Sequence, residues 1–445
     1  MDESFSPSNL RRIWDAQTRK GKDLLGFFPE VKVAYEVLRQ ARKVAHALRK
    51  STKPLTASEL SSLDVVSDFK AAADRTLSSA LAETSEALIA QVDSNAFDWG
   101  LHTTMEKFGR QLFSVGDNAS AYFADKQLQR ILADLLPMRL SSRHSIVAAL
   151  VRTLGNDLPK VIVRLDVREF YASVDHAILL GRLERAGLSP TSLRLIRQLL
   201  VQMRAITGRA KGLPTGVGLC AKLAEFYMRE LDAQLRDSPG VLYYARYVDD
   251  IVLVHGETER GSLSANGIVS WIGDELSKLE LTLNLTKQAV RPLSAQKKID
   301  AFEFLGYVIS YDAKKPCVRI TDARIAVLKN RIDRTFEVWD RADPSNHGRR
   351  RLLLDRLRFL AGNTRLSHNK RDAMVGIYFS NPNVSDASFF EELDIYLAER
   401  ISKSSIPTDV LKKINEVSFV DAFQARTVRK FTVKRMVQLR GAWRG

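Results

Sequence analysis

Two carboxylates stand side by side at Asp249 and Asp250, between the apolar runs LYYARY and IVLV. Adjacent acids repel each other, and a solvated turn does not need flanks this apolar. Carboxylates drawn into such surroundings need a cation or a hydrogen-bonding partner, so the pair is a candidate metal site. Asp is also a common turn residue, and a plain hairpin turn stays open at this point. A third acid, Asp166, ends the run VIVRL and precedes VREFY. Alone it is as readily a strand cap as a ligand. The phrase GLPTG at residues 212–216 is a Gly/Pro turn ahead of LCAKLAEFYMRELD. Such a turn before a helix is ordinary; beside the acids it would bring flexible backbone close to a flat ligand.

These residues need elements to position them. VIVRLDV is a short β-branched run, as in a buried strand. VLYYARYVDDIVLVHG is two such runs around Val-Asp-Asp, which predicts a β-hairpin. LGRLERAGL and TSLRLIRQLLVQMRA, between them, predict helices. Another helix is expected near residues 268–279, and a further strand at AFEFLGYVIS. Strands mixed with helices and a hairpin predict an α+β sheet domain.

The flanks differ in character. Over residues 31–48, Val31, Ala34, Leu38, Ala41, Ala45 and Leu48 recur at helical steps. The basic residues Lys32, Arg39, Arg42, Lys43, Arg49 and Lys50 fall mostly off that face. A loop at STKPLTASEL and a second helix near residues 62–92 follow. From Thr321 the chain is expected to be helical and Arg-rich, with Arg349, Arg350, Arg351, Arg356 and Arg358 in one stretch. After Asp421 there is no acid, only Arg426, Arg429, Lys430, Lys434, Arg435, Arg440 and Arg444. The expected organisation is a helical region over 1–95, a sheet domain over 96–315, and a helical, basic region over 316–445.

The 445 residues carry a formal net charge of +16 and are 45% hydrophobic, enough for sizeable cores. Such a charge favours a polyanionic partner, nucleic acid ahead of a membrane surface. A solvated basic face is the plain alternative. Cys220 and Cys317 lie far apart and match no metal-ligand spacing, so a disulfide framework is not expected and a reducing cytoplasm is. No apolar run approaches the roughly 18 residues of a membrane span, and MDESFSPSNL lacks the apolar core of a signal peptide.

The order Asp166, GLPTG, YVDD resembles the palm domain of reverse transcriptases. LTLNLTK resembles the family's next, lysine-bearing motif, and FEFLGY the primer-grip strand after it. Five motifs thus follow the family's order over residues 162–307. The resemblance implies a right-hand polymerase with fingers and palm, flanked by helical regions, the C-terminal one thumb-like. It implies RNA-directed DNA polymerisation, with Asp166, Asp249 and Asp250 holding two Mg²⁺ ions that stabilise the attacking and leaving oxygens. Mg²⁺ prefers such oxygen ligands. Asp166 and Asp249 are the expected bridging ligands, and Asp250 the more loosely coordinated one. By the same resemblance Tyr171 is a steric gate beneath the incoming sugar, with a core aromatic as the plain alternative, and Thr215 stands where many relatives carry Gln, so the base-side contact would differ here. Lys287 would protonate the leaving pyrophosphate, unless it is a solvated surface lysine. Arg143 would bind the triphosphate. Val248 replaces the Gly that viral RNA-dependent RNA polymerases usually place before the paired acids. No ribonuclease H acids and no maturase or HNH tail are evident.

SFSPSNLRRI, the following RKG, GIYFSN and LDIYL resemble defence-associated bacterial reverse transcriptases. That branch includes a type 3 system in which two such enzymes act with a noncoding RNA; retron and intron-derived enzymes stay open, as does generic helical packing for these phrases. The implied partners are deoxynucleoside triphosphates, a structured noncoding RNA, a DNA product and a second reverse transcriptase. Two other classes stay open: a palm-fold RNA-binding protein that does not polymerise, and a template-independent or protein-primed nucleotidyl transferase. Phe431 and Trp443, set among the basic residues, would stack on unpaired bases or anchor the tail to the protein body.

Overall fold

The structure, a computed structural model, describes residues 2–49, 57–104, 111–136, 142–155, 158–256, 265–293, 299–312, 315–366 and 373–443. The chain opens with helices α1 (Pro7–Arg19), α2 (Pro29–Arg49) and α3 (Ala57–Asp93), then a ribbon of β1 (His102–Thr103) and β2 (Phe113–Ser114). Helices α4 (Ala119–Leu135) and α5 (Arg143–Leu154) lead to β3 (Lys160–Asp166). Four helices follow: α6 (Phe170–Ser173), α7 (His176–Arg185), α8 (Pro190–Thr207) and α9 (Gly218–Arg236). The expected hairpin is β4 (Val241–Tyr247) and β5 (Asp250–Gly256), succeeded by α10 (Ala265–Ser277) and β6 (Ala289–Leu293). Next come β7 (Ile299–Phe304), β8 (Tyr307–Asp312) and β9 (Lys315–Ile320). The remainder is α11 (Asp322–Asp340), α12 (His347–Ala361), β10 (Asn363–Arg365), β11 (Met374–Gly376), α13 (Ser388–Ser402), α14 (Thr408–Ile414), α15 (Phe419–Ala425), β12 (Val428–Lys430) and α16 (Val433–Arg440). The α+β class expected from the sequence is the one observed.

Two compact units emerge, each assembled from separate stretches of chain. The first comprises residues 1–139, 168–231 and 275–282. Its α2 buries Val31, Leu38 and Ala45 and exposes Arg39, Arg42 and Lys43, the face that the periodicity predicts. Residues 51–56 of the expected loop lie outside the described residues, and residues 57–60 already belong to α3. Local signals set several helix ends. Ser189 caps α8 with Pro190 in its first turn, and Gly208 closes it at φ 68°, as capping chemistry favours. The N-terminal phrase has a structural role. Asn9 is fully buried, donates to Asp2 and to the Ser4 carbonyl, and accepts from Arg130 of α4 at 3.0 Å.

The second unit comprises residues 140–167, 232–274 and 283–445. Its main sheet has the order β4-β5-β3-β6, antiparallel throughout. Val161–Val163 of β3 and Ile251–Val254 of β5 are buried. One core joins α5, β3, β5, the β7-β8-β9 meander and α11 to α13.

Two features depart from expectation. AFEFLGYVIS is a hairpin and not one strand, because the chain reverses at Leu305 and Gly306, with φ of 49° and 77°. Apart from the Gly nothing marks the turn, since Leu is not a usual left-handed residue. The C-terminal stretch also holds a small sheet of order β11-β10-β12 among its helices, and GIYFSN runs from β11 into a turn rather than a helix. Among the described residues no helix is long and apolar enough to cross a membrane.

Candidate active site

Antiparallel register creates the acidic centre. Asp166, the last residue of β3, lies directly opposite Asp250, the first residue of β5. Directly opposed residues put their side chains on one face of a sheet. Arg164 shares that face, because positions two apart on a strand do. Asp249 occupies the two-residue turn between Tyr247 and Asp250, so it stands at the hairpin tip and not on a strand.

The turn is strained. Val248 has φ 61°, a region where a β-branched residue is a genuine outlier. Strain of this kind persists only where the surroundings hold it, and here they do. Arg246 donates to the Val248 carbonyl at 2.9 Å. It also forms a fork to Asp232 at 2.9 and 2.7 Å, and Tyr244 donates to the same carboxylate at 2.7 Å. On the other side the Val167 amide donates to the Asp249 carbonyl at 2.9 Å. The sequence contains Arg246 two positions before the turn, but nothing marks Asp232 on α9 as its partner.

Each opposed carboxylate has its own donors. Asp166 is 4% exposed. Lys287 approaches one of its oxygens at 3.1 Å, and Asn284 donates to the other at 3.0 Å. The Asn284 amide also donates to the Asp166 carbonyl at 2.8 Å. Lys287 is therefore paired and not simply solvated. Asn284, within LTLNLTK, and Arg164, within VIVRL, are the site residues that sequence reasoning missed. Arg164 donates to Asp250 at 2.7 Å and to the Lys287 carbonyl at 2.7 Å, and its Nε is buried with no hydrogen-bond partner among the described residues. Burial raises the Asp250 carboxyl above its ordinary range, Asp249 and Asp166 add to the rise, and Arg164 opposes it. These acids thus share one electrostatic neighbourhood.

As the side chains stand, no three acid, His or Cys groups among the described residues surround a common point as a metal cluster would. The donor set is nevertheless carboxylate oxygen throughout, which suits Mg²⁺. That ion commonly takes one or two carboxylates and completes its shell with water and substrate phosphate, so the residues fit it.

Arg143 opens α5, where its guanidinium lies 5.9 Å from the Tyr307 ring centroid; no hydrogen bond or ion pair joins it to the acids. The remaining candidates belong to the first unit. Tyr171 and Thr215 line one cavity of about 620 Å³, together with Phe113 and Leu213. Leu213 donates to the Tyr171 carbonyl at 2.7 Å, and Gly212 to the Val174 carbonyl at 2.8 Å, tying GLPTG to α6. Phe113 donates to the Thr215 carbonyl at 2.8 Å. Gly216, at φ 110°, sits so close that an added Cβ would lie 2.6 Å from the Phe113 carbonyl oxygen.

Residues 119–309 match the family described as reverse transcriptase (RNA-dependent DNA polymerase). This stretch contains all five sequence motifs, together with Arg143, Asp166, Tyr171, Thr215, Gly216, Asp249, Asp250 and Lys287. No curated protein matches the chain. Among solved structures, telomerase from Candida albicans in complex with a TWJ fragment of telomeric RNA is similar at 13% identity and a TM-score of 0.36, over 72% of this chain and 56% of that one. Apo telomerase from Candida tropicalis, truncated from its C-terminal domain, is similar at 12% identity and a TM-score of 0.36, over 50% and 54% of the two chains. This chain thus spans just over half the length of either, and likenesses of that size carry no functional argument.

Proposed function

We propose that this protein is an RNA-directed DNA polymerase, a right-hand enzyme that extends a DNA strand from deoxynucleoside triphosphates on a structured noncoding RNA. The observation that carries this reading is the opposition of Asp166 and Asp250, with Asp249 held at the adjoining strained turn. The domain match over residues 119–309 supports it.

In this reading Asp166, Asp249 and Asp250 hold Mg²⁺. The bound ions would stabilise the charge that develops on the attacking and leaving oxygens of phosphoryl transfer. The protein's own contribution is preorganisation. The β3–β5 ladder sets the spacing of Asp166 and Asp250, while Arg246 and Val167 hold the turn that presents Asp249. Lys287, poised on Asp166, is the group that would hand a proton to the leaving pyrophosphate. Tyr171, with Thr215 and Gly216 nearby in the GLPTG turn, would meet the sugar and base of the nucleotide. Arg143 would meet its triphosphate. The biological setting proposed from the terminal phrases is antiphage defence in the bacterial cytoplasm, with a second reverse transcriptase as partner.

The test is a deoxynucleotide incorporation assay on the purified full chain, with metal and template each present or omitted, and sequencing of any nucleic acid that copurifies. Incorporation that needs both metal and RNA template supports the reading. Incorporation without template would replace it with a terminal or protein-primed transferase. Metal-independent RNA retention with no incorporation would make the chain a binding protein.

A further inference from the structure

We propose that the cavity framed by α12, β12 and the start of α16 binds the phosphate backbone of a single nucleic-acid strand. The inference deepens the nucleic-acid reading above, but it uses residues of the second unit alone and does not depend on polymerisation.

The cavity has a volume of about 610 Å³ and is lined by Arg351, Arg358, Arg429, Lys430, Arg435 and Asp355, among others. Asp355, the only acid among the described lining residues, is already paired, because Arg435 donates to it at 2.9 and 2.7 Å. Arg351, Arg358, Arg429 and Lys430 form no ion pair with a described residue, which leaves the cavity strongly positive. Burial, and then Arg429, push the Arg358 guanidinium below its ordinary range against the opposing pull of Asp355 and Glu416, and its Nε is buried with no hydrogen-bond partner among the described residues. A concave surface that holds like charges together at such a cost invites an anion. Thr432, the N-cap of α16, also lines it, and the positive end of a helix adds to the same field.

Two observations favour a strand over a small anion. First, the larger cavity spreads Arg351, Arg358, Arg429 and Lys430 over about 610 Å³, whereas the smaller one that shares Arg358 and Arg429 sets Glu416 and Asp421 beside Lys413. The positive charge is thus concentrated in the larger cavity, and its four cations exceed what one phosphate group needs. Second, Phe431 lines the larger cavity. Its ring meets Phe359 edge-on, with centroids 5.9 Å apart. A basic groove with an aromatic wall is the arrangement that takes a backbone and stacks a base. Trp443 does not share this role. Its indole donates to the Arg331 carbonyl and the Thr335 hydroxyl at 3.0 Å each and stacks on Phe359, so it anchors the tail to the protein body.

The test uses the full chain and fluorescence anisotropy with labelled single-stranded RNA and DNA of one sequence, across a salt series. Arg429→Gln with Lys430→Gln removes two exposed charges from β12, whose ladder with β10 is made by the backbone. Arg42→Gln with Lys43→Gln on α2 removes two exposed charges elsewhere. The slope of log affinity against log salt should fall by about 1.4 in the β12 variant, at about 0.7 per lost contact, and stay unchanged in the α2 variant. Phe431→Leu should weaken binding without changing the slope, and provides a second readout if the β12 variant does not fold. RNA and DNA bound alike, or RNA preferred, both fit a strand held by its backbone. An unchanged slope in a folded β12 variant together with unchanged binding by Phe431→Leu would overturn the proposal. So would inorganic triphosphate that binds this cavity while oligonucleotides fail to displace it.

Discussion

Asp166 on β3 stands directly opposite Asp250 on β5, and each carboxylate already has a basic partner, Lys287 for the first and Arg164 for the second. The second pair is the tighter and the more buried, at 2.7 Å with side chains only 16% and 22% exposed. A metal ion approaching Asp250 must compete with Arg164 for the same oxygens. Arg164→Gln should therefore raise Mg²⁺ affinity, by about 1.5 kcal/mol for one charged hydrogen bond, or about tenfold. Thermal melting across a Mg²⁺ titration would read this as a larger stabilisation at each concentration. Equal titrations for the two proteins would mean that Arg164 does not restrain the acid.

Asp249→Asn should abolish incorporation while the fold persists. The turn is held through backbone carbonyls, those of Val248 and Asp249, which the substitution leaves in place. Loss of one metal ligand removes several kcal/mol of charge stabilisation, a rate loss of about 100-fold or more. A folded variant with wild-type incorporation would remove Asp249 from the site.

Tyr171→Ala should relax sugar selection. The ring lines a cavity with Thr215, and a clash with a ribose hydroxyl is a repulsive element of specificity. The ratio of kcat/KM for deoxynucleotides over ribonucleotides should drop by about tenfold or more. A wild-type enzyme that uses both sugars equally would show that Tyr171 is no gate.

Gly216→Ala should be among the costlier glycine substitutions. The new Cβ meets the Phe113 carbonyl at 2.6 Å, and φ is 110°. Overpacking against backbone costs about 1–3 kcal/mol. Gly187→Ala is the control, since it too has positive φ, at 79°, but an added Cβ meets no atom of the described residues within 4 Å. Its cost should be only the conformational one, about 1–2 kcal/mol. Denaturant titrations that rank Gly187→Ala as the worse of the two would contradict the close approach at Gly216.

His144 should make stability depend on mild acid. Burial lowers its pKa, and Arg143 and Arg324 lower it further. Its Nδ1 lies 3.0 Å from the Tyr307 hydroxyl. A base with a depressed folded pKa is most stabilising when neutral. Its contribution is therefore complete above the ordinary value of about 6.5 and is lost as pH falls from there towards the folded value. The melting temperature of the wild type should fall more between about pH 7 and pH 5 than that of His144→Gln. Parallel melting curves would place the pH dependence elsewhere.

Much of the site could be read in the chain because the relevant signals are local. The apolar runs around Asp249 and Asp250 specify a hairpin, and a hairpin of that length must place the acids at or beside its tip. The helical spacing of Val31, Leu38 and Ala45 predicts their burial for the same local reason. Asp166 needed only to end a strand that pairs with the hairpin.

What the chain alone does not show are the contacts that join residues far apart in sequence. Arg164 reaches Asp250 across 86 positions, and Lys287 reaches Asp166 across 121. Such pairs depend on which strands become neighbours and in what register, and a shift of one residue would turn every side chain to the other face. Trp443 is likewise an anchor only because α11 presents the Arg331 carbonyl to it. The reversal at Leu305 was hidden because its apolar neighbours pattern equally well as one strand, until packing of β7 against β8 imposes the left-handed turn. Residue types and local periodicity determined the acids and the elements that carry them. Tertiary pairing alone decided which cations hold those acids, since only folding brings together charges that are distant along the chain.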